Sequence, residues 1–326
     1  MPKLFFKPIL LLTFFCTFFS FSFAWGRVAH EWIAILALKA LAPQELREWL
    51  IRSQDDIGYY STLPEVWKSQ YSQERSLHWF HLDDVPELFQ YKQFPSFQNF
   101  LEKFAGQIGE VSSKPIHQRY TGALPWRIEQ LYLQLVNQFR QLSRLQNRKR
   151  RNEMASEIIY TLGILAHYTA DLSQPYHLTG NYDGQLTGNP GFHKYYEFDL
   201  VEAAPEHFSS KIDEQIEQLY SKISRSFARS QSLQVGLLKT AKFVYDEYPV
   251  LNEMDQTLSL FRRFSSARRS PETVFSAFEE KLSRHIAIGI ILQSCLIQRA
   301  YEEAGEPSLK NAFASSHANT YIFPEF

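Results

Sequence analysis

The chain has 326 residues, of which 44% are hydrophobic and 21% are charged, a composition that excludes an intrinsically disordered polymer. Lysine and arginine number 34 against 35 aspartate and glutamate residues, so the charge balance excludes a polybasic nucleic-acid binder. A chain of this length can bury a sizeable hydrophobic core.

The first 24 residues are typical of a secretory signal peptide. Two lysines precede an apolar run that ends at a small-x-small cleavage motif, Ser22 to Ala24. The run is shorter than the roughly 20 residues of a membrane-spanning helix, which disfavours the alternative of an uncleaved anchor. We therefore expect that residues 1–24 are removed, that the protein is secreted or periplasmic, and that Trp25 becomes its first residue.

Helical periodicity runs through almost all of the remaining chain, and no segment requires a strand. Residues 53–95 and the tail after Gly305 are irregular. Residues 178–191 form a glycine-rich loop, a composition that allows the backbone to approach other atoms closely. We predict an all-α fold in which residues 25–326 form one multi-helix domain. The predicted helices are 31–41, 43–52, 97–108, 125–145, 153–172, one that resumes near His193, 209–229, 233–247 and 271–303.

Two features outside the histidine clusters need an interpretation. Cys16 lies in the predicted signal peptide, so Cys295 is left without a disulfide partner, and we expect a core thiol there rather than a nucleophile. The basic run from Arg148 to Arg151 lies at a predicted helix junction. It either binds phosphate or anionic lipid or is a solvated turn, and we favour the solvated turn.

The spacing of the histidines indicates a metal-binding site. His167 and Asp171 are four residues apart in a predicted helix, so their side chains lie on one face. His193 and Glu197 repeat this spacing beyond the glycine-rich loop, and His177 follows the proline that ends the first of these helices. Imidazole and carboxylate ligands without a thiolate favour zinc in a hydrolytic site, although such a set can also hold manganese or iron.

The predicted amino terminus is a further source of ligands. After cleavage, the free α-amine and the carbonyl oxygen of Trp25 can chelate a metal ion in a five-membered ring. His30 follows five residues later and can close on the same ion. The uncleaved precursor would lack this site, because its Trp25 nitrogen is an amide.

These segments together resemble the zinc-dependent phospholipase C and single-strand nuclease superfamily. The resemblance rests on Trp25 with His30, on HYTADLSQPYH (His167 to His177), and on GNYDGQLTGNPGFHKYYE (Gly180 to Glu197). It implies an all-helical fold with three zinc ions in one cleft, the remaining C-terminal third being scaffold. The implied ligands are His78, His167 and Asp171 for one zinc of a close pair; the amine and carbonyl of Trp25 with His30 for its partner, Asp171 bridging the two; and His177, His193 and Glu197 for the third zinc.

Two positions in this assignment have alternatives. His81, followed by Leu-Asp-Asp, is the alternative to His78. Glu65 precedes His78 by 13 residues, where the superfamily usually has an aspartate as metal ligand or general base. Asp55 and Asp56 are nearby substitutes. If none of these acids reaches the site, zinc would bind without efficient turnover.

The resemblance implies a secreted, zinc-dependent hydrolase of phosphoester bonds, with Glu65 and Asp171 as its catalytic residues. Glu197 is similar to the phospholipase C branch, which we favour over a single-strand endonuclease or 3′-nucleotidase; a non-catalytic zinc-binding protein is the alternative from another class. The expected substrate is a phospholipid head group or single-stranded nucleic acid, with transient contact to a membrane surface and no protein partner. Four aromatic residues near the ligands can stack a base, contact acyl-glycerol or simply pack: Tyr182, Phe192, Tyr195 and Tyr196.

Overall fold

The computed structural model describes residues 25–86, 88, 95–104, 121–258 and 268–325. Within these ranges every regular element is a helix, which confirms the predicted all-α class. The predicted signal peptide, residues 1–24, lies outside the described residues. Among the described helices, none combines the length and the hydropathy that a membrane span requires.

The helices are numbered here along the chain. They are α1 (Arg27–Lys39), α2 (Gln44–Ile51), α3 (Gln54–Tyr60), α4 (Leu63–Gln70), α5 (Phe97–Phe104), α6 (Leu124–Arg144), α7 (Arg148–Leu172), α8 (Phe192–Lys194, continuing through a π-helical turn at Tyr195–Asp199 into Leu200–Glu202), α9 (Phe208–Ser224), α10 (Leu233–Tyr245), α11 (Tyr248–Leu258) and α12 (Pro271–Glu303). Short 3₁₀ turns lie at Arg75–Leu77, Leu82–Asp84, Pro175–Leu178 and Arg225–Phe227.

The structure differs from the prediction between residues 53 and 95, where α3 and α4 replace part of the expected irregular segment. Helices of seven and eight residues are too short for their periodicity to stand out in the sequence. Such short helices are stabilised by packing rather than by propensity. Ile57, Tyr60 and Trp67 supply that packing because all three are buried.

The basic run is also placed differently from the prediction. Residues 148–151 form the first turn of α7, and the side chain of Asn147 caps this turn by accepting a hydrogen bond from the amide of Arg150. Arg151 donates to the carbonyl oxygens of Leu142 and Ser308, at 2.8 Å each. Arg151 therefore has a structural role, tying α6 and the C-terminal segment to α7.

The core consists of two buried hydrophobic clusters, and α12 contributes to both. Every residue of α12 from His285 to Ile297 is buried, as in a helix that is surrounded by others on all sides. It packs against α1, α6, α7 and α9. Cys295 is one of these buried residues, and burial raises the pKa of its thiol to about 12, so the thiol belongs to the core.

A close contact between α3 and α7 positions one end of the site. A Cβ atom at Gly163 would lie 2.4 Å from the Cβ of Tyr60 and 2.8 Å from the carbonyl oxygen of Ile57. Only glycine permits this approach. As a result, the end of α3 lies beside α7, where the Ser61 carbonyl reaches His167, one turn after Gly163.

Candidate metal centre

Three groups of histidine and acidic side chains lie in the described part of the chain, each with ligand atoms within 4.8 Å of one another. Every side chain that the sequence predicted as a zinc ligand belongs to one of them. The groups are His30, Glu65 and His167; His78, His167 and Asp171; and His177, His193 and Glu197.

Two helices present four of these eight side chains. His167 and Asp171 are one turn apart on α7, and Pro175 then starts the 3₁₀ turn that carries His177. On α8 the π-helical turn contains Glu197. Such turns are frequent at functional sites, because they redirect a side chain without ending the helix.

The glycine-rich loop, residues 178–191, joins these two elements. Gly184, Gly188 and Gly191 have φ angles of 75°, 79° and 82°, in the left-handed region that favours glycine. At Gly184 a Cβ atom would lie 2.4 Å from the carbonyl oxygen of Asn189. The close approach predicted for this loop is therefore, at Gly184, a contact of the loop with itself.

Four ligand atoms form a cage: Glu65 Oε1, His78 Nδ1, His167 Nε2 and Asp171 Oδ2. The Asp171 oxygen lies 2.9 Å from the His78 nitrogen and 3.3 Å from the His167 nitrogen. The two nitrogens are 3.0 Å apart, and the Glu65 oxygen lies 3.5 and 3.4 Å from them. Atoms bound about 2.0–2.1 Å from a tetrahedral zinc ion are about 3.3 Å from one another, and these five distances, from 2.9 to 3.5 Å, agree with that spacing.

Hydrogen bonds on the outer side of both rings determine which nitrogen faces the cage. His167 Nδ1 donates to the carbonyl oxygen of Ser61 at 2.8 Å, and His78 Nε2 donates to Glu74 Oε1 at 3.1 Å. In the neutral rings that metal ligation requires, the two inner nitrogens then carry lone pairs. Lone pairs that face each other across 3.0 Å need a cation or a proton between them.

The acids of the cage stay charged although they are buried. Burial alone would raise the pKa of Asp171, but His167 and His177 hold it well below its ordinary value. Burial would likewise raise the pKa of Glu65, but Lys68 and then His167 hold it well below its ordinary value. Charged carboxylates in the interior require compensating cations, which a metal ion can supply.

The group around Glu197 also contains a buried carboxylate that stays charged. Glu197 Oε2 lies 2.8 Å from His193 Nε2 and 3.7 Å from His177 Nε2, and it accepts a hydrogen bond from Gln174 at 3.0 Å. Burial would raise the pKa of Glu197, but His193 and then His177 lower it. Within the described residues, His177 Nε2 and Glu197 Oε1 are buried without a hydrogen-bond partner. Such atoms are costly unless an ion satisfies them.

His30 faces the second oxygen of Asp171. Its Nε2 lies 3.8 Å from Asp171 Oδ1, and both atoms are buried without a hydrogen-bond partner among the described residues. Burial, followed by the charge of His167, holds the pKa of His30 well below its ordinary value. His30 is therefore neutral and can offer a lone pair to a metal ion.

Trp25 is fixed beside this second position. Its indole N–H donates to the carbonyl oxygen of Ala170 at 2.7 Å, and the amide of Gly26 donates to the carbonyl oxygen of Glu197 at 3.1 Å. Ala170 directly precedes Asp171, so the start of the described chain lies beside the turn of α7 that faces His30. Ligation by the Trp25 amine and carbonyl stays a prediction.

His81, the alternative to His78, belongs to none of the three groups. Its Nδ1 lies 3.4 Å from Asp84 Oδ2. Its ring is nearly parallel to those of Trp79 and Tyr182, with centroids 6.1 and 6.5 Å away. The geometry thus favours His78 over His81 as a ligand.

Lys68 is a site residue that the sequence analysis missed. Its Nζ lies 2.7 Å from Glu65 Oε1, and its side chain is 19% exposed. Burial would lower the pKa of Lys68, but Glu65 and then Asp171 raise it, so the ammonium stays charged. The three-residue spacing from Glu65 on one helix could have identified it. Asp55 and Asp56 are in none of the groups formed by the described residues.

Comparison with known proteins agrees with this chemistry. A family model described as zinc dependent phospholipase C matches residues 29–234, a range that contains every side chain of the three groups. No curated protein and no solved structure gives a significant match.

The cage predicts different outcomes for two neighbouring histidines. His78→Ala should lower the zinc content by one ion per chain, because it removes a cage atom. His81→Ala should leave the zinc content unchanged, since its ring lies outside the three groups. Elemental analysis after dialysis against a weak chelator measures both, with chain folding checked by circular dichroism. Equal zinc loss in the two variants would contradict the assignment.

Zinc should compete with a proton at His167. Burial would lower the pKa of His167, but Asp171 and hydrogen bonding raise it from 6.5 to about 9. Because the folded-state pKa is the higher one, protonation stabilises the metal-free fold fully below pH 6.5, and this stabilisation disappears as the pH rises through about 9. We expect the melting temperature of chelator-treated protein to fall over this interval, while that of zinc-loaded protein falls much less. A metal-free protein that becomes more stable across the same interval would exclude this account.

Proposed function

Because the chain belongs to the zinc-dependent phospholipase C family, whose members hydrolyse phosphoester bonds, we propose that it is an exported enzyme acting on the phosphodiester of phospholipid head groups. The observation that carries the proposal is the cage of four ligand atoms, whose dimensions and charge fit zinc. We propose three ions: one in the cage, one between His30, Asp171 Oδ1 and the main chain of Trp25, and one at Glu197 with its two histidines. The enzyme domain would comprise residues 25–326, after removal of residues 1–24.

Bound zinc would supply Lewis acidity, which neutralises phosphodiester charge and lowers the pKa of a coordinated water. Asp171 directs one oxygen into the cage and the other toward His30, so it would fix the separation of two ions. Glu65 directs Oε1 into the cage, and Lys68 Nζ contacts both of its oxygens, Oε1 at 2.7 Å and Oε2 at 3.0 Å. This pairing holds the carboxylate in one orientation, from which it would orient the attacking water as ligand or base.

The ammonium of Lys68 would also act on the substrate. It is charged and partly exposed beside the cage, and an ammonium there can donate a hydrogen bond to a non-bridging phosphate oxygen. Such a contact would pull the phosphodiester toward the ions and exclude water from one side of it.

A second candidate function is cleavage of single-stranded nucleic acid. The observation that favours it is Tyr182, which is 53% exposed and nearly parallel to His81. An exposed aromatic face of this kind can stack on a base without sequence preference. Phospholipid hydrolysis remains our first proposal because the matching family is described as a phospholipase C.

Turnover by zinc-loaded protein beginning at Trp25 tests these functions. We would assay vesicles of phosphatidylcholine, vesicles of phosphatidylethanolamine, and single-stranded DNA, each with and without chelator. We expect chelator-sensitive release of the phosphorylated head group, and none from Asp171→Asn, which loses the bridging carboxylate. Chelator-sensitive release of nucleotides alone would favour the nuclease. Full zinc content without turnover on any substrate would favour a non-catalytic zinc-binding protein.

Adding one residue before Trp25 tests the proposed main-chain ligands. The extra residue converts the amine to an amide, so we expect one zinc ion fewer per chain and a large loss of turnover. Arg27→Ala is the matched control, because Arg27 has a 72% exposed side chain in the same segment and leaves the amine free. If the extended chain keeps all its zinc, the main chain of Trp25 is not a ligand.

A further inference from the structure

Glu74 is a buried carboxylate that contacts the cage from outside. It is fully buried, and its Oε1 accepts hydrogen bonds from His78 Nε2 at 3.1 Å and from the Tyr168 hydroxyl at 2.5 Å. Glu74 belongs to none of the three metal-binding groups. Its hydrogen bond to His78 therefore orients a candidate ligand without supplying one.

Arg127 supplies the positive charge that a buried carboxylate needs. It is also fully buried, it interacts electrostatically with Glu74, and its guanidinium lies 5.2 Å from the centroid of the Tyr168 ring. Its Nη2 donates to the carbonyl oxygen of Ile322 at 2.6 Å. The final described segment of the chain, which contains Ile322, thus holds Arg127 beside Glu74.

The segment that follows α12, residues 305–325, is called the C-terminal strap here. Hydrogen bonds hold it against the helices at two points. The indole of Trp49 donates to the carbonyl oxygen of Ala312 at 2.7 Å, and the hydroxyl of Tyr160 donates to the carbonyl oxygen of Thr320 at 2.5 Å. The strap then places Tyr321 in a buried position, stacked on Tyr71 with ring centroids 3.9 Å apart.

The end of the strap also contacts the turn that carries Glu74, because Tyr321 stacks on Tyr71, whose carbonyl oxygen accepts a hydrogen bond from the amide of Glu74 at 3.1 Å. Burial, and then the carboxylate of Glu74, raise the pKa of the Tyr321 hydroxyl. Two consecutive strap residues, Tyr321 and Ile322, are therefore close to the Glu74–Arg127 pair. The strap therefore supports both members of this pair, Arg127 directly and Glu74 through Tyr71.

We propose that Glu74 is a positioning residue for His78, and that the C-terminal strap keeps it in place through Tyr321 and Arg127. The hydrogen bond from His78 Nε2 fixes the ring and directs Nδ1 into the cage. Carboxylates that bind the outer nitrogen of a metal-ligating histidine set its tautomer and raise its basicity. This inference rests on the proposed ligand role of His78, but it does not depend on the identity of the substrate.

The test is the zinc affinity of the cage in Glu74→Gln. Loss of such an outer carboxylate weakens metal binding about 10- to 100-fold. We expect that loss for one of the three ions, with the other two unchanged, in a competition titration with a chromogenic chelator. Cobalt substitution should show an altered visible absorption band from the same site. Tyr321→Phe, a milder change, should weaken the same ion by a smaller factor.

Trp49→Phe is the matched control. It removes a hydrogen bond to the strap at Ala312, nine residues before Tyr321, so it should lower the melting temperature without weakening any zinc ion selectively. The proposal is overturned if Glu74→Gln and Tyr321→Phe bind all three ions like the unaltered protein. It is also overturned if all three ions weaken together, in parallel with the stability of the metal-free protein. Failure of the proposed function would look different: the unaltered protein would bind zinc normally and hydrolyse no phospholipid.

Discussion

The structure depends on keeping buried carboxylates charged. Glu65, Asp171 and Glu197 lie on three different helices, and each has a pKa below its ordinary value despite burial. Histidines compensate part of this charge, and a divalent ion compensates it better. Because an ion that binds only the folded chain stabilises it, folding and metal binding are linked in this protein.

Fixed hydrogen bonds orient the histidine rings of the metal-binding groups. Carbonyl oxygens of Ser61 and His78 accept from the outer nitrogens of His167 and His177, and Glu74 does the same for His78. A backbone carbonyl neither titrates nor rotates freely, so it selects one tautomer over a wide pH range. The helix that precedes Ser61 is in turn held by close packing of α3 against α7 at Gly163.

The sequence predicted the parts of the site that depend on local spacing. A four-residue interval on a helix places two side chains on one face, which is why His167, Asp171, His193 and Glu197 could be found without a structure. The helix that carries Glu65 was not predicted, because one short helix among aromatic residues has no clear periodicity. The contacts of Tyr71 and Arg127 with the C-terminal strap join distant segments of the chain, and local patterns contain no information about such contacts.

His78 belongs to one of the groups and contacts another. Its ring belongs to the cage, while its carbonyl oxygen accepts the Nδ1 hydrogen of His177, a member of the Glu197 group. The side chain of this residue thus serves one site, and its backbone serves the other. Replacing its side chain therefore empties one site without removing the hydrogen-bond acceptor of the other, so the two sites can lose their ions independently.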